Sequence, residues 1–145
     1  MSRDNVLLVE DNSDDVELML HAFKKSRIAN EIVVVRDGES AVDFLTRQGD
    51  FAGRQAGDHP ALVLLDLKLP GIDGLEVLRR IRSNPETKRV PVAILTTSDD
   101  DADIVRGYDL GVNSYIRKPV DFSAFTAMVE QLGLYWLVVN VASPT

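Results

Sequence analysis

The chain has 145 residues, 45% of them apolar, a formal net charge of -7 and no cysteine. That is enough for one domain with an ordinary core, and it excludes a disulfide framework or a thiolate metal site. The acidic balance, concentrated in "EDNSDD" and in "SDDDAD" from Ser98 to Asp103, disfavours contact with nucleic acid phosphates, and no run approaches the ~20 apolar residues of a membrane span.

Without an apolar stretch in the first residues to act as a signal peptide, a cytoplasmic location is expected. Strand-like and helix-like segments alternate along the chain, the pattern of a parallel sheet covered by helices on both faces. The first run, "NVLLVED", ends at Glu10 and Asp11. Asn12 or Ser13 then caps a helix whose first turn holds Asp14 and Asp15, favourable at the positive end of the helix dipole. Val16, Met19, Leu20 and Phe23 recur as one buried stripe. Ile32–Val35 reads as a second strand, Gly38 to about Thr46 as a second helix, and Ala61–Asp66 as a third strand. Residues 49–60, "GDFAGRQAGDHP", read as a long surface loop. A third helix begins near Asp73 or Gly74, buries Leu75, Leu78 and Ile81, and stops before Pro85. Val92–Leu95 is the fourth strand, Asp99–Leu110 a helix, Ser114–Ile116 the fifth strand, and Asp121 opens the last helix, on which Phe122, Phe125, Val129 and Leu132 fit one buried face. The expected fold class is α/β, a doubly wound parallel sheet with right-handed crossovers.

Ligands of open parallel sheets bind beyond the strand C-termini, and four apolar runs end there in residues that phosphoryl chemistry uses. Asp66 follows "ALVLL" and precedes "LKLPGIDG", where Pro70, Gly71 and Gly74 keep the loop tight. A carboxylate at that point serves as a metal ligand and as a nucleophile toward phosphorus. Attack of an anion on an anionic group needs charge neutralisation, for which Mg²⁺ is the usual answer. Glu10 and Asp11 supply further negative charge, and the Lys68 carbonyl a backbone oxygen. Thr96 offers a hydroxyl donor and Lys118 an ammonium for the transferred oxygens. Each piece alone has a plainer reading: an acidic pair as a helix cap, a Thr as a strand residue, Lys-Pro as a turn, Tyr115 as packing. Their joint occurrence at four strand ends favours the chemical reading.

With Glu10 and Asp11, Asp66 in "LLDLKLPGIDGLEVL", Thr96 in "PVAILTT", Tyr115 in "GVNSYIRKP" and Lys118-Pro119, the chain resembles the response regulator receiver domain over nearly all of Val6 to Leu132. The resemblance implies a flavodoxin-like receiver fold with strand order 2-1-3-4-5. It implies Mg²⁺-dependent transfer from a histidine kinase to Asp66, slow hydrolysis, and a switch formed by Thr96 and Tyr115. It also implies a cis Lys118–Pro119 peptide, and a histidine phosphotransfer protein as a further partner of a relay. Such a chain is a phosphoacceptor signalling protein, not an enzyme acting on other substrates.

Two departures stand out. Lys68 and Thr97 carry larger side chains than expected beside Asp66, and both are candidates for hindering the attacking water; Lys68 in solvent, acting only through its carbonyl, is the plainer alternative. After residues 1–133, the expected receiver domain, residues 134–145 form an apolar extension in which Leu134, Tyr135, Trp136, Leu137 and Val138 run without interruption. One helix face cannot bury them all, so the tail either folds back on its own domain or packs on a second subunit of a homodimer. The long loop and "YWL" tail resemble the single-domain regulators paired with bacterial phytochrome kinases. No output domain is expected, and contacts with the kinase are expected along the first helix, at Val16, Leu18 and Leu20, and at Val120. A haloacid-dehalogenase-like phosphatase would need an Asp where Lys68 stands, and a P-loop protein a glycine-rich cradle where "EDNSDD" stands. A pseudo-receiver, folded alike but acting only as an interaction module, is the remaining alternative.

Overall fold

The structure, a computed structural model, describes residues 5–25, 30–55, 58–119 and 121–144, the side chain of residue 139 excepted. Val120 and part of the long loop fall outside these. Five parallel strands, β1 (Val6–Val9), β2 (Ile32–Val35), β3 (Leu62–Leu65), β4 (Val92–Thr96) and β5 (Ser114–Arg117), lie in the order β2-β1-β3-β4-β5. The central three are buried along their whole length. Alternate residues divide between two cores: Leu7, Val9, Val63, Leu65, Val92 and Ile94 face one layer, and Val6, Leu8, Leu62, Leu64, Ala93 and Leu95 the other. A strand covered on both faces must be apolar at every position, which is why the runs are continuous rather than alternating.

Helices α2 (Gly38–Thr46) and α3 (Gly74–Ser83) build the first layer, with α4 (Asp101–Asp109) beside α3; α1 (Ser13–Lys25) and α5 (Phe122–Leu134) build the second. Each helix starts on an Asn or Asp just past a strand. The Oδ1 atoms of Asn12, Asp37, Asp73, Asp100 and Asp121 accept from Asp15, Ser40, Glu76, Ala102 and Ser123 backbone N–H groups at 2.7–3.3 Å. Each such cap is worth about 1 kcal/mol and fixes where its helix begins. Gly74 opens α3 where a Cβ would stand 2.3 Å from the Asp66 carbonyl oxygen, so only glycine lets this helix seat against the end of β3.

Four expectations need correction. No peptide bond among the described residues is cis, so the Lys118–Pro119 link is trans. Trans is favoured intrinsically by about 0.5–1 kcal/mol, and the Lys118 N–H still reaches the Thr96 carbonyl at 2.7 Å. Leu20 is exposed and Ala22 takes its place in the core. Phe122, in the first turn of α5, is 51% exposed, its ring 6.4 Å from that of His21, while Phe125, Val129 and Leu132 are buried. The long loop is not simple surface: it begins with a 3-10 turn at Gly49–Phe51. The Arg54 guanidinium stacks 3.7 Å from the Phe44 ring centroid and donates to the Phe44 and Asp58 carbonyls.

Beyond α5 the chain continues through a π turn, Tyr135–Val139, closed by Asn140 N–H to the Tyr135 carbonyl. This turn divides the apolar run. Trp136 and Leu137 pack on the core shared by α1 and α5, while Leu134, Tyr135 and Val138 are exposed at 57%, 51% and 69%.

Candidate functional site

Parallel pairing extends just past the strands and fixes three key backbones at one edge. Glu10 N–H donates to the Val35 carbonyl and Asp66 N–H to the Val9 carbonyl, both at 3.1 Å, and Lys118 N–H to the Thr96 carbonyl at 2.7 Å. The structure thus brings Glu10, Asp66, Thr96 and Lys118 to the same end of the sheet. Glu10, Asp66 and Thr96 are buried, and the Lys118 side chain is only 6% exposed. Its Nζ lies 2.6 Å from Glu10 Oε1, 2.7 Å from Asp15 Oδ2 and 3.1 Å from Asp66 Oδ2. On its other oxygen Asp66 accepts from the Leu67 N–H at 2.7 Å, with the Lys68 N–H at 3.5 Å. Both carboxylate oxygens are therefore oriented before any ligand arrives.

One ammonium serves three carboxylates, so the cluster carries surplus negative charge in a poorly hydrated place. Burial, assisted by the nearby Asp66 charge, pushes Glu10 up to about 7 despite its hydrogen bonds from Lys118 and the Asn12 N–H. Burial pulls Lys118 down, but hydrogen bonds to Asp15 and Glu10 and the Asp66 charge hold it above the ordinary lysine value. Both shifts point the same way: the ammonium keeps its charge, and Glu10 binds a proton more readily than an ordinary glutamate.

The donor set fits a hard divalent cation, being entirely oxygen and lacking positive charge. It is not gathered as it stands. Among the described residues no three acids or histidines are placed to hold a metal ion, because Glu10, Asp15 and Asp66 face Lys118 while Asp11 is exposed. Lys68 is also exposed; its side chain makes no ion pair among the described residues.

Thr96 is fully buried, its Oγ1 3.4 Å from the Ser98 N–H. Tyr115 packs against α4 over Gly107, and its hydroxyl donates to the Ser98 carbonyl at 3.1 Å. Ser98 Oγ in turn donates to Asp103 at 2.7 Å. The loop after Thr96 is thereby tied to both β5 and α4. Thr97 is exposed. Along α1, Val16 is buried, Leu18 half-buried and Leu20 exposed, so Val16 is unavailable to a partner.

Three residues of the site escaped the sequence reading. Asp15 reads as a helix-dipole acid, yet from the first turn of α1 its carboxylate reaches Lys118 Nζ at 2.7 Å, at the strand end. Ser98 has no signal except its spacing from Thr96. Glu39 accepts from the Ile72 N–H at 3.3 Å and lies against Gly71, where φ is +75°, so it braces the loop after Asp66.

The chain matches the Response regulator receiver domain family over residues 6–130. Response regulator Rcp1 of Synechocystis sp. is 41% identical over 132 residues, covering 91% of this chain and 88% of Rcp1; a structure of Rcp1 in its Mn(2+)-bound form superposes with a TM-score of 0.87 at 39% identity, covering 95% and 97% of the two chains. The phosphorylated cyanobacterial phytochrome response regulator RcpA gives a TM-score of 0.90 at 40% identity, covering 97% of this chain and 98% of RcpA. The bacteriophytochrome response regulator RtBRR is 48% identical with a TM-score of 0.76, covering 97% and 84%.

Proposed function

Because this chain belongs to the response regulator receiver domain family and is a homologue of the phytochrome response regulators, we propose that Asp66 accepts a phosphoryl group from a phytochrome-type histidine kinase in a Mg²⁺-dependent step. The observation that carries the reading is Asp66 itself: a buried carboxylate at a strand end, with Oδ1 held by Leu67 N–H and Oδ2 by Lys118. One of its oxygens attacks phosphorus, the bond from phosphorus to the donor imidazole nitrogen breaks, and that electron pair leaves with the imidazole. Glu10, Asp11, Asp66 and the Lys68 carbonyl would hold the cation, which supplies the charge neutralisation that lets two anions meet. Lys118 and the Thr96 hydroxyl then take up phosphoryl oxygens. A group carrying about -1.5 to -2 charge changes what these two residues pair with, and that difference shifts the Ser98 loop and Tyr115.

In this reading the protein works in the cytoplasm, as a switch or as a shuttle to a histidine phosphotransfer protein. No helix among the described residues is long and apolar enough to cross a membrane. The exposed face of the tail, Leu134, Tyr135 and Val138, supports a homodimer in which these residues meet a second copy while Trp136 and Leu137 stay on their own domain.

Intact mass after incubation with acetyl phosphate and MgCl₂ tests the assignment. Wild type gains one phosphoryl mass; Asp66→Ala and a magnesium-depleted sample do not. A gain that survives Asp66→Ala refutes it.

A further inference from the structure

We propose that Asp15 is a positioning residue that draws the Lys118 ammonium toward the β1–α1 side of the site and so leaves Asp66 accessible to a divalent cation and to phosphorus. This rests on the phosphoacceptor reading of Asp66. The ammonium has three protons and three carboxylate partners, but they are not equivalent: Glu10 and Asp15 stand at 2.6 and 2.7 Å, Asp66 at 3.1 Å. Both nearer partners belong to the segment that follows β1.

Asp15 is suited to the task in ways the other two acids are not. Its backbone is fixed by the Asn12 cap at 3.0 Å, in the first turn of α1. Its side chain is 24% exposed, against 4% for Glu10 and 11% for Asp66, so it is the least desolvated of the three carboxylates. It takes no part at phosphorus. Without it, the nearest acceptors left to the ammonium are Glu10 and Asp66. A lysine drawn onto Asp66 competes for the oxygens that a cation and phosphorus both need. Asp14, exposed in the same turn, is not a partner of Lys118 and provides a control of equal charge.

Calorimetric titration of the full chain with MgCl₂ reads this without phosphorylation. Four proteins form a cycle: wild type, Asp15→Asn, the near-isosteric Lys118→Met, and the double variant; Asp14→Asn is the control. Asp15→Asn keeps the side-chain shape at a half-buried position, and circular dichroism of each variant checks folding. We expect Asp15→Asn to raise the Mg²⁺ Kd about 3- to 10-fold, and the same change on the Lys118→Met background, or Asp14→Asn, to shift it less than about 2-fold. Equal shifts on both backgrounds would reduce Asp15 to a general charge and overturn the proposal, as would no shift on the wild-type background. A wild type that binds Mg²⁺ and gains phosphoryl mass while Asp15→Asn matches it overturns this proposal alone. A wild type that binds no Mg²⁺ overturns it together with the reading beneath it.

Discussion

The Tyr115 hydroxyl donates to the Ser98 carbonyl at 3.1 Å, which ties the last strand to the loop two residues past Thr96. Burial pushes the Tyr115 phenol up from its ordinary value, outweighing the hydrogen bond to Ser98, so the group is a neutral donor at any physiological pH. Tyr115→Phe removes that donor and keeps the ring. It should cost about 0.5–1.5 kcal/mol in urea unfolding and leave the phosphoryl mass gain on Asp66 intact. The change in amide-exchange protection of α4 on phosphorylation should disappear. Unchanged protection in the variant argues against Tyr115 as the link between Thr96 and α4.

Glu10 sets a pH dependence whose sign is opposite to ordinary acid unfolding. Its folded-state value of about 7 lies above the ordinary glutamate value of 4.5, so the folded chain binds this proton more tightly than the unfolded one. The contribution is complete below about 4.5, declines as pH rises, and is lost above about 7; its size is on the order of 3 kcal/mol. In buffer containing a chelator, the stability of Glu10→Gln relative to wild type should therefore rise between pH 5 and pH 7.5. A flat difference would place the excess proton elsewhere in the cluster.

Lys68 and Thr97 are exposed beside buried Asp66 and Thr96, on the loops that follow β3 and β4. If their side chains hinder the approaching water, Lys68→Ala and Thr97→Ala should each shorten the lifetime of the aspartyl phosphate several-fold, measured as loss of phosphoryl mass after the donor is removed. Equal lifetimes would leave Lys68 with only its carbonyl role.

Val138→Glu places a charge on the exposed side of the tail and touches none of the residues packed on the core. Sedimentation should show a monomer that keeps its fold by circular dichroism and whose melting temperature no longer depends on protein concentration. Removal of residues 134–145 strips Trp136 and Leu137 from the α1–α5 face as well, and should yield a monomer of reduced stability or an insoluble protein. A dimer surviving both changes moves the interface to another surface.

The positions of Glu10, Asp66, Thr96 and Lys118 were legible because continuous apolar runs lead up to them, whereas the strand order came from the resemblance to the receiver family. Runs such as Val6–Val9 and Leu62–Leu65 are buried on both faces, as short apolar runs bounded by turn residues suggest, and each is followed by a polar group of the kind phosphoryl chemistry uses. What escaped depends on contacts distant in sequence. Asp15 looks like any first-turn acid until Lys118, 103 residues away, is placed against it. The division of the tail follows from a π turn, whose altered angular step no apolar run announces. Phe122 looks like core by spacing, but its turn of α5 stands beyond the buried positions that begin at Phe125.

Trp136 is the one tryptophan of the sequence; it stands edge-to-face against Tyr135, ring centroids 5.0 Å apart, at the seam between the packed and the open side of the tail. Its indole emission consequently samples a boundary rather than a core, and covering Tyr135 or lifting the tail alters the polarity around a single chromophore. The molecule carries an intrinsic optical reporter of what its tail is doing, with no label needed.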